Sequence, residues 1–184
     1  MSTPVEEYAH IADRFTDRVD GVPDGRWDDP APCEGWVARD VVRHLVEWFP
    51  PFLATGAGIE LDPVPSVDDD PAGAWHALDD QIRALLAEPD VAARTFAHPQ
   101  AGTHPLPQAI AQFFTADVFV HTWDLARATG QDESLDEEVA AGMLAGMEPI
   151  DEMLRGSGHY GPRVEVPADA DVVTRLIAFT GRHP

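Results

Sequence analysis

Three residues in this sequence could act together on a cation or a proton: His44, Asp117 and His121. Asp117 and His121 are spaced i, i+4, which on a helix puts their side chains one turn apart on one face. At 100° per residue, Ile110, Phe113, Phe114, Asp117, His121, Asp124 and Ala128 share that face. A carboxylate among such neighbours loses its hydration, so it must neutralise or find a cation. In an earlier segment Val37, Val41, His44, Trp48 and Phe52 form a narrow stripe with His44 at its centre, while Arg39, Asp40, Arg43 and Glu47 lie off it.

Each feature alone has an ordinary explanation. A core histidine needs only a hydrogen-bond partner, and an acid–histidine pair at this spacing is common. Together they admit a sharper reading. If the two helices face each other, two imidazoles and one carboxylate form an open ligand set, which suits zinc and also iron(II), nickel or manganese. Asp124 or Glu47 could then orient a ligating histidine from behind. A hydrogen-bonded network without metal stays open at this point, and no catalytic residue beyond the ligand set can be named.

The elements that must position these residues are helical. Residues 3 to 20 carry Val5, Tyr8, Ile11, Ala12, Phe15 and Val19 on one face. A second helix is expected from about Val37 to Phe49, ended or kinked by Pro50 and Pro51, with apolar character continuing to Ala54. A third runs from about Pro71 to Ala87 and a fourth, the longest, from about Leu106 to Thr129, with Gly130 as C-cap. A fifth is expected from about Ser134 to Leu154, Ser134 and Glu137 having capping-box spacing, and a short last helix from Val172 to Gly181. The segments 21–32, 56–70 and 96–107 read as loops, and 156–170 as loop or short strand. Helices joined by loops, with almost no period-two alternation, indicate an all-α bundle. The competing reading is an α+β domain with a small hairpin near 159–167.

The 184 residues fit one domain, 1–184. The formal charge of −21, from 33 acidic and 12 basic residues, argues against nucleic acid and anionic membrane as partners. No apolar run approaches the roughly 18 to 20 residues that span a bilayer. The start, Met-Ser-Thr-Pro-Val-Glu-Glu, lacks the pattern of a secretory signal, so a cytoplasmic location is expected. With one cysteine, Cys33, there is neither an intrachain disulfide nor a cysteine-rich zinc site; a structural cysteine is the default for it. His98 and His104 sit in a proline-rich loop that could border the site, and His10, His76, His159 and His183 have no evident partner. All 12 basic residues are arginine, and lysine and asparagine are absent, which suggests a GC-rich genome.

Several stretches resemble a known family. Pro32-Cys33-Glu34-Gly35-Trp36, Arg39 to Leu45, Asp117 to Ala126, Tyr160-Gly161-Pro162, Arg175-Leu176 and Gly181-Arg182 are similar to the DinB-like superfamily. The nearest branch is the one named for the N-terminal domain of mycothiol-dependent maleylpyruvate isomerase, common in actinobacteria. The resemblance implies a DinB-like four-helix bundle, here with an additional C-terminal helix and short irregular or β segments. It also implies a metal, zinc before others, held by His44, Asp117 and His121. The isomerase has glutamate where this chain has Asp117, and it carries a further C-terminal domain. The function expected is activation of a low-molecular-weight thiol, mycothiol, on zinc for transfer to or isomerisation of a small-molecule substrate. The alternatives are a non-catalytic small-ligand or metal-binding bundle, and a metal-dependent hydrolase. A homodimer is compatible with the sequence.

Overall fold

The computed structural model describes residues 3–156, 158 and 160–184. Its helices are α1 (Pro4–Asp20), α2 (Ala38–Ala57), α3 (Pro71–Leu86), α4 (Leu106–Ala109), α5 (Ala116–Thr129), α6 (Glu137–Met147), α7 (Asp151–Gly156) and α8 (Val172–Phe179). A π-helical turn, Ile110–Thr115, joins α4 to α5. Two short strands, β1 (Thr95–His98) and β2 (Gly102–Pro105), form one antiparallel hairpin. The protein is therefore mostly helical, as the periodicity predicts, with one small sheet.

Four helices close a ring in which α1 packs on α5, α5 on α2, α2 on α3 and α3 on α1. Each contributes a buried stripe: Tyr8, Ile11 and Phe15 from α1; Val41, Leu45, Phe49 and Leu53 from α2; Trp75, Leu78 and Ile82 from α3; Val118 and Leu125 from α5. Burial of each such side chain favours folding by about 1.5–3 kcal/mol before entropy is subtracted. The Phe49 and Phe114 rings stack at 4.0 Å between centroids and tie α2 to the π turn. α6 and α8 pack together as a separate layer beside α5. Among the described residues no helix is long and apolar enough to cross a membrane.

The first helix starts where capping chemistry demands. The Thr3 hydroxyl accepts from the Glu6 N–H while the Glu6 carboxylate accepts from the Thr3 N–H, and Pro4 occupies the first turn. Elsewhere several expectations need correction. α2 does not end at Phe49; it runs through Pro50 and Pro51 to Ala57. Proline forfeits a ladder hydrogen bond, but Leu53 and Gly56 beyond it are buried and hold the last turns against the core. The stretch 96–107 is not a plain loop. It holds the hairpin, anchored by Phe96, whose ring lies where a side chain on Gly56 of α2 would stand. The long fifth helix is shorter and broken. Asp136, not Ser134, caps α6, the Ser134 hydroxyl bonds to Asp132 instead, and a 3₁₀ turn containing Pro149 separates α6 from α7. The last helix ends at Phe179, two residues before Gly181. The alternative hairpin near 159–167 is not borne out among the described residues, since 160–167 form no strand; His159 lies outside them.

Candidate metal centre

α2 and α5 are neighbours in the ring, and their facing residues include His44 and Asp117. His44 Nε2 lies 3.0 Å from Asp117 Oδ2, and His121 Nε2 lies 3.4 Å from Asp117 Oδ1. The two imidazole centroids are 4.9 Å apart. One ligand atom from each of the three residues falls within 4.8 Å of the others. A tetrahedral ion bound at about 2.0–2.2 Å places its ligand atoms about 3.3 Å apart, and each histidine nitrogen lies at a comparable distance from one oxygen of Asp117. Asp117, though one methylene shorter than glutamate, touches both histidines.

The site sits at the rim of the core, not in its middle. His44 and Asp117 side chains are 32% and 28% exposed, whereas His121 is 4% exposed. The stripe centred on His44 is therefore the edge of the buried face of α2, and the face itself is carried by Val41, Leu45 and Phe49. That position combines a buried, fixed histidine with an open side. Trp36 covers the pair from the loop before α2, its ring 5.2 Å from His44 and 5.8 Å from His121, nearly parallel to the latter. Trp48, one turn beyond His44, donates its indole N–H to Asp117 Oδ2 at 3.0 Å.

The electrostatics follow from the geometry. Burial disfavours the charge on Asp117, but His121 and His44 outweigh it and hold the carboxyl well below its usual range. Burial likewise disfavours the imidazolium of His121. Asp117 on one nitrogen and Asp124 on the other reverse this and push its pKa up to about 9. His121 Nδ1 is 2.8 Å from Asp124 Oδ2, a carboxylate with no exposed side-chain surface. Of the two residues proposed to stand behind a ligand, Asp124 does so. Glu47 is exposed and lies 3.8 Å from Arg43.

Two further contacts escape a reading by periodicity. Trp48 lies in the same stripe as His44, so its position was legible, but an indole at helical spacing reads as core. Arg182, in the turn after α8, reaches Asp124 through three hydrogen bonds: its Nε donates to both carboxylate oxygens at 2.7 and 2.9 Å, and its Nη2 to Oδ2 at 2.7 Å. Nothing in the local sequence couples residue 182 to residue 124. Cys33 Sγ lies 3.4 Å from the same Nη2 and 3.7 Å from Asp124 Oδ2. Burial and the Asp124 charge push its thiol up to about 12, so it is a protonated, structural cysteine.

The other described histidines lie outside this set. The His98 ring packs on Phe52, and His104 is bound to the Ala101 carbonyl at 2.7 Å. His10 and His76 have acid partners after all, Asp136 at 3.5 Å and Asp20 at 2.8 Å. The His183 carbonyl accepts from Arg127.

Adjacent helices of the bundle thus bring two histidines and a carboxylate together at its rim, with a second carboxylate behind one histidine, a donor set that fits a divalent cation. Comparison narrows the class. The family model of the mycothiol maleylpyruvate isomerase N-terminal domain matches residues 8–126, and the chain belongs to that family. It is also similar to two uncharacterized proteins of Mycobacterium tuberculosis, from strains CDC 1551 / Oshkosh and ATCC 25618 / H37Rv. Each is 29% identical over 181 residues, 97% of this chain and 97% of the relative. No solved structure matches the chain. The match to the family spans all three candidate ligands and Asp124, and stops before Arg182.

Proposed function

We propose that this protein is a metal-dependent enzyme of thiol chemistry, in which His44, Asp117 and His121 hold a divalent ion, zinc first, and a low-molecular-weight thiol is delivered to a small electrophilic substrate. The observation that carries the reading is the convergence of His44 and His121 on Asp117, one ligand atom from each lying within 4.8 Å of the others on the open rim of the bundle, in a chain of this family. A closed structural site would use a fourth protein ligand; two histidines and one carboxylate leave a position for a substrate atom. Bound there, the metal would supply Lewis acidity that keeps a coordinated thiol as thiolate at neutral pH.

The chain's own residues do the rest. Asp124 holds His121 through Nδ1, so the imidazole presents Nε2 to the site in one orientation. The Trp48 N–H fixes the Asp117 carboxylate. Trp36 shields both imidazoles on one side and lowers the local dielectric, which strengthens every charge interaction at the rim. Mycothiol is the thiol that family membership favours, transfer or thiol-assisted isomerisation the reaction class, and the cytoplasm the compartment where a reduced thiol is abundant.

Elemental analysis of protein purified without an affinity tag comes first. About one equivalent of metal is expected, and less than about a tenth with intact folding would sink the site. Thiol consumption by the zinc-loaded protein across a panel of electrophiles, lost in His44→Ala, tests the chemistry. Metal binding without thiol consumption would leave a binding protein, and ester or amide cleavage without thiol would mark a hydrolase.

A further inference from the structure

His121 belongs to two overlapping ligand sets. Through one it joins His44 and Asp117; through the other it joins Cys33 and Asp124. Its Nε2 faces the first set and its Nδ1 the second. A cation bound between Cys33, Asp124 and Nδ1 would be a different site, softer and further from the open rim. The sequence offers both, so something must choose.

The choice is made from the far end of the chain. The Arg182 guanidinium already stands beside Cys33 and Asp124, bonded to both carboxylate oxygens and 3.4 Å from the sulfur. A second cation there would meet a fixed positive charge and an acceptor whose lone pairs are largely taken. The same contact has a second effect. Arg182 presents its donors as a planar fork, which fixes the plane of the carboxylate it grips. With that plane fixed, Asp124 Oδ2 faces His121 Nδ1 at 2.8 Å, which leaves Nε2 as the nitrogen turned towards His44 and Asp117. The backbone is shaped to deliver this side chain. Gly181 has φ +91°, and a Cβ there would lie 3.0 Å from Gly161 Cα, so only glycine lets the turn after α8 close on the 160–162 segment and send Arg182 inward.

We propose that Arg182 is the positioning residue of the metal centre: by occupying the Cys33–Asp124 side of His121 it assigns the metal to Nε2, and by clamping Asp124 it holds the imidazole in the ligating orientation. The proposal rests on the reading of His44, Asp117 and His121 as the ligand set.

Cobalt(II) titration of the untagged full chain tests it, because a thiolate ligand to cobalt gives an intense near-ultraviolet charge-transfer band and imidazole does not. Wild type is expected to bind cobalt without that band; its appearance would place the metal on Cys33 and overturn the proposal. Arg182→Met is expected to lose about 10- to 100-fold in cobalt affinity, the range for removing an outer partner of a ligand, and Arg182→Lys to recover part of the loss. Where Arg182→Met fails to fold, Arg182→Lys decides, since it keeps the charge and loses the fork; wild-type affinity in the folded variant refutes the clamp. Arg83→Met removes a comparable guanidinium, bonded to Asp79 and Asp13 on the α1–α3 side. It should cost stability and leave cobalt affinity unchanged, and an equal affinity loss there would reduce the Arg182 effect to general destabilisation. Nitrogen-15 spectra of histidine-labelled, metal-free protein supply an independent arm. A slowly exchanging His121 Nδ1 proton is expected in wild type and should be lost in Arg182→Met. If wild type takes up no cobalt, the ligand-set reading falls, and a ring proton unchanged in Arg182→Met would show that the clamp itself is wrong.

Discussion

Metal uptake should release a proton, and the affinity should climb steeply with pH. The reason lies in how His121 is held. Its two nitrogens face two carboxylates, Asp117 at 3.4 Å and Asp124 at 2.8 Å, so without metal both nitrogens carry protons and the ring is cationic. These partners push its pKa up to about 9 against the opposing effect of burial. A metal can take Nε2 only after that proton leaves. At pH 7 a group with a pKa of about 9 is neutral in roughly one molecule in a hundred. The apparent affinity at pH 7 should therefore lie about a hundredfold, or ~2.7 kcal/mol, below its plateau, and should rise about tenfold per pH unit towards pH 9. Titration calorimetry in two buffers of different ionisation enthalpy at the same pH counts the protons directly. About one per metal is expected at pH 7, falling towards none above about pH 10. Asp124→Asn, which removes one of the two charges, should shrink both the proton count at pH 7 and the slope. An affinity flat between pH 6 and 9 would refute the argument, because it would mean that Nε2 is already free in the metal-free protein.

Other outcomes follow from the same contacts. The metal-free protein should lose stability as pH rises from about 6.5 towards 9. The raised pKa of His121 means that its ion pairs are fully present below the unfolded value and are lost as pH passes the folded one; thermal melts at several pH values check this, and zinc-loaded protein should show little of the trend. His44→Ala should abolish stoichiometric zinc binding while changing stability by less than about 1 kcal/mol, because the side chain is about one-third exposed and water replaces its contact with Asp117; zinc content and a melt on the same sample decide it. Gly56→Ala should destabilise the fold by about 1–3 kcal/mol without touching the metal centre, since the new methyl group would collide with the Phe96 ring that seats the hairpin. Chemical denaturation beside zinc titration separates the two effects.

How far the site was legible in the sequence depends on the range of the interaction concerned. Asp117 and His121 are one helical turn apart, so their partnership is local and the period of 3.6 residues places them on one face. His44 was legible as a stripe position but not as a rim position. Periodicity gives the direction of a side chain relative to its neighbours on one helix, whereas exposure depends on which other helix covers it. The prolines in α2 mislead for a related reason: their local cost is real, yet the burial of Leu53 and Gly56 beyond them is a tertiary gain that propensity does not contain. Arg182 is the extreme case. Its grip on Asp124 spans 58 residues of chain and depends on a glycine turn after α8 closing against residue 161. No window on the sequence contains both ends. The candidate ligands themselves lie in the segment that matches the family, 8–126, while the arginine that we propose positions one of them comes from the remaining third, beyond that match. A substitution in that tail can therefore disable the centre while every ligand is intact, and relatives that keep the three ligands but lack an arginine reaching Asp124 should hold metal more weakly, on either nitrogen of the histidine.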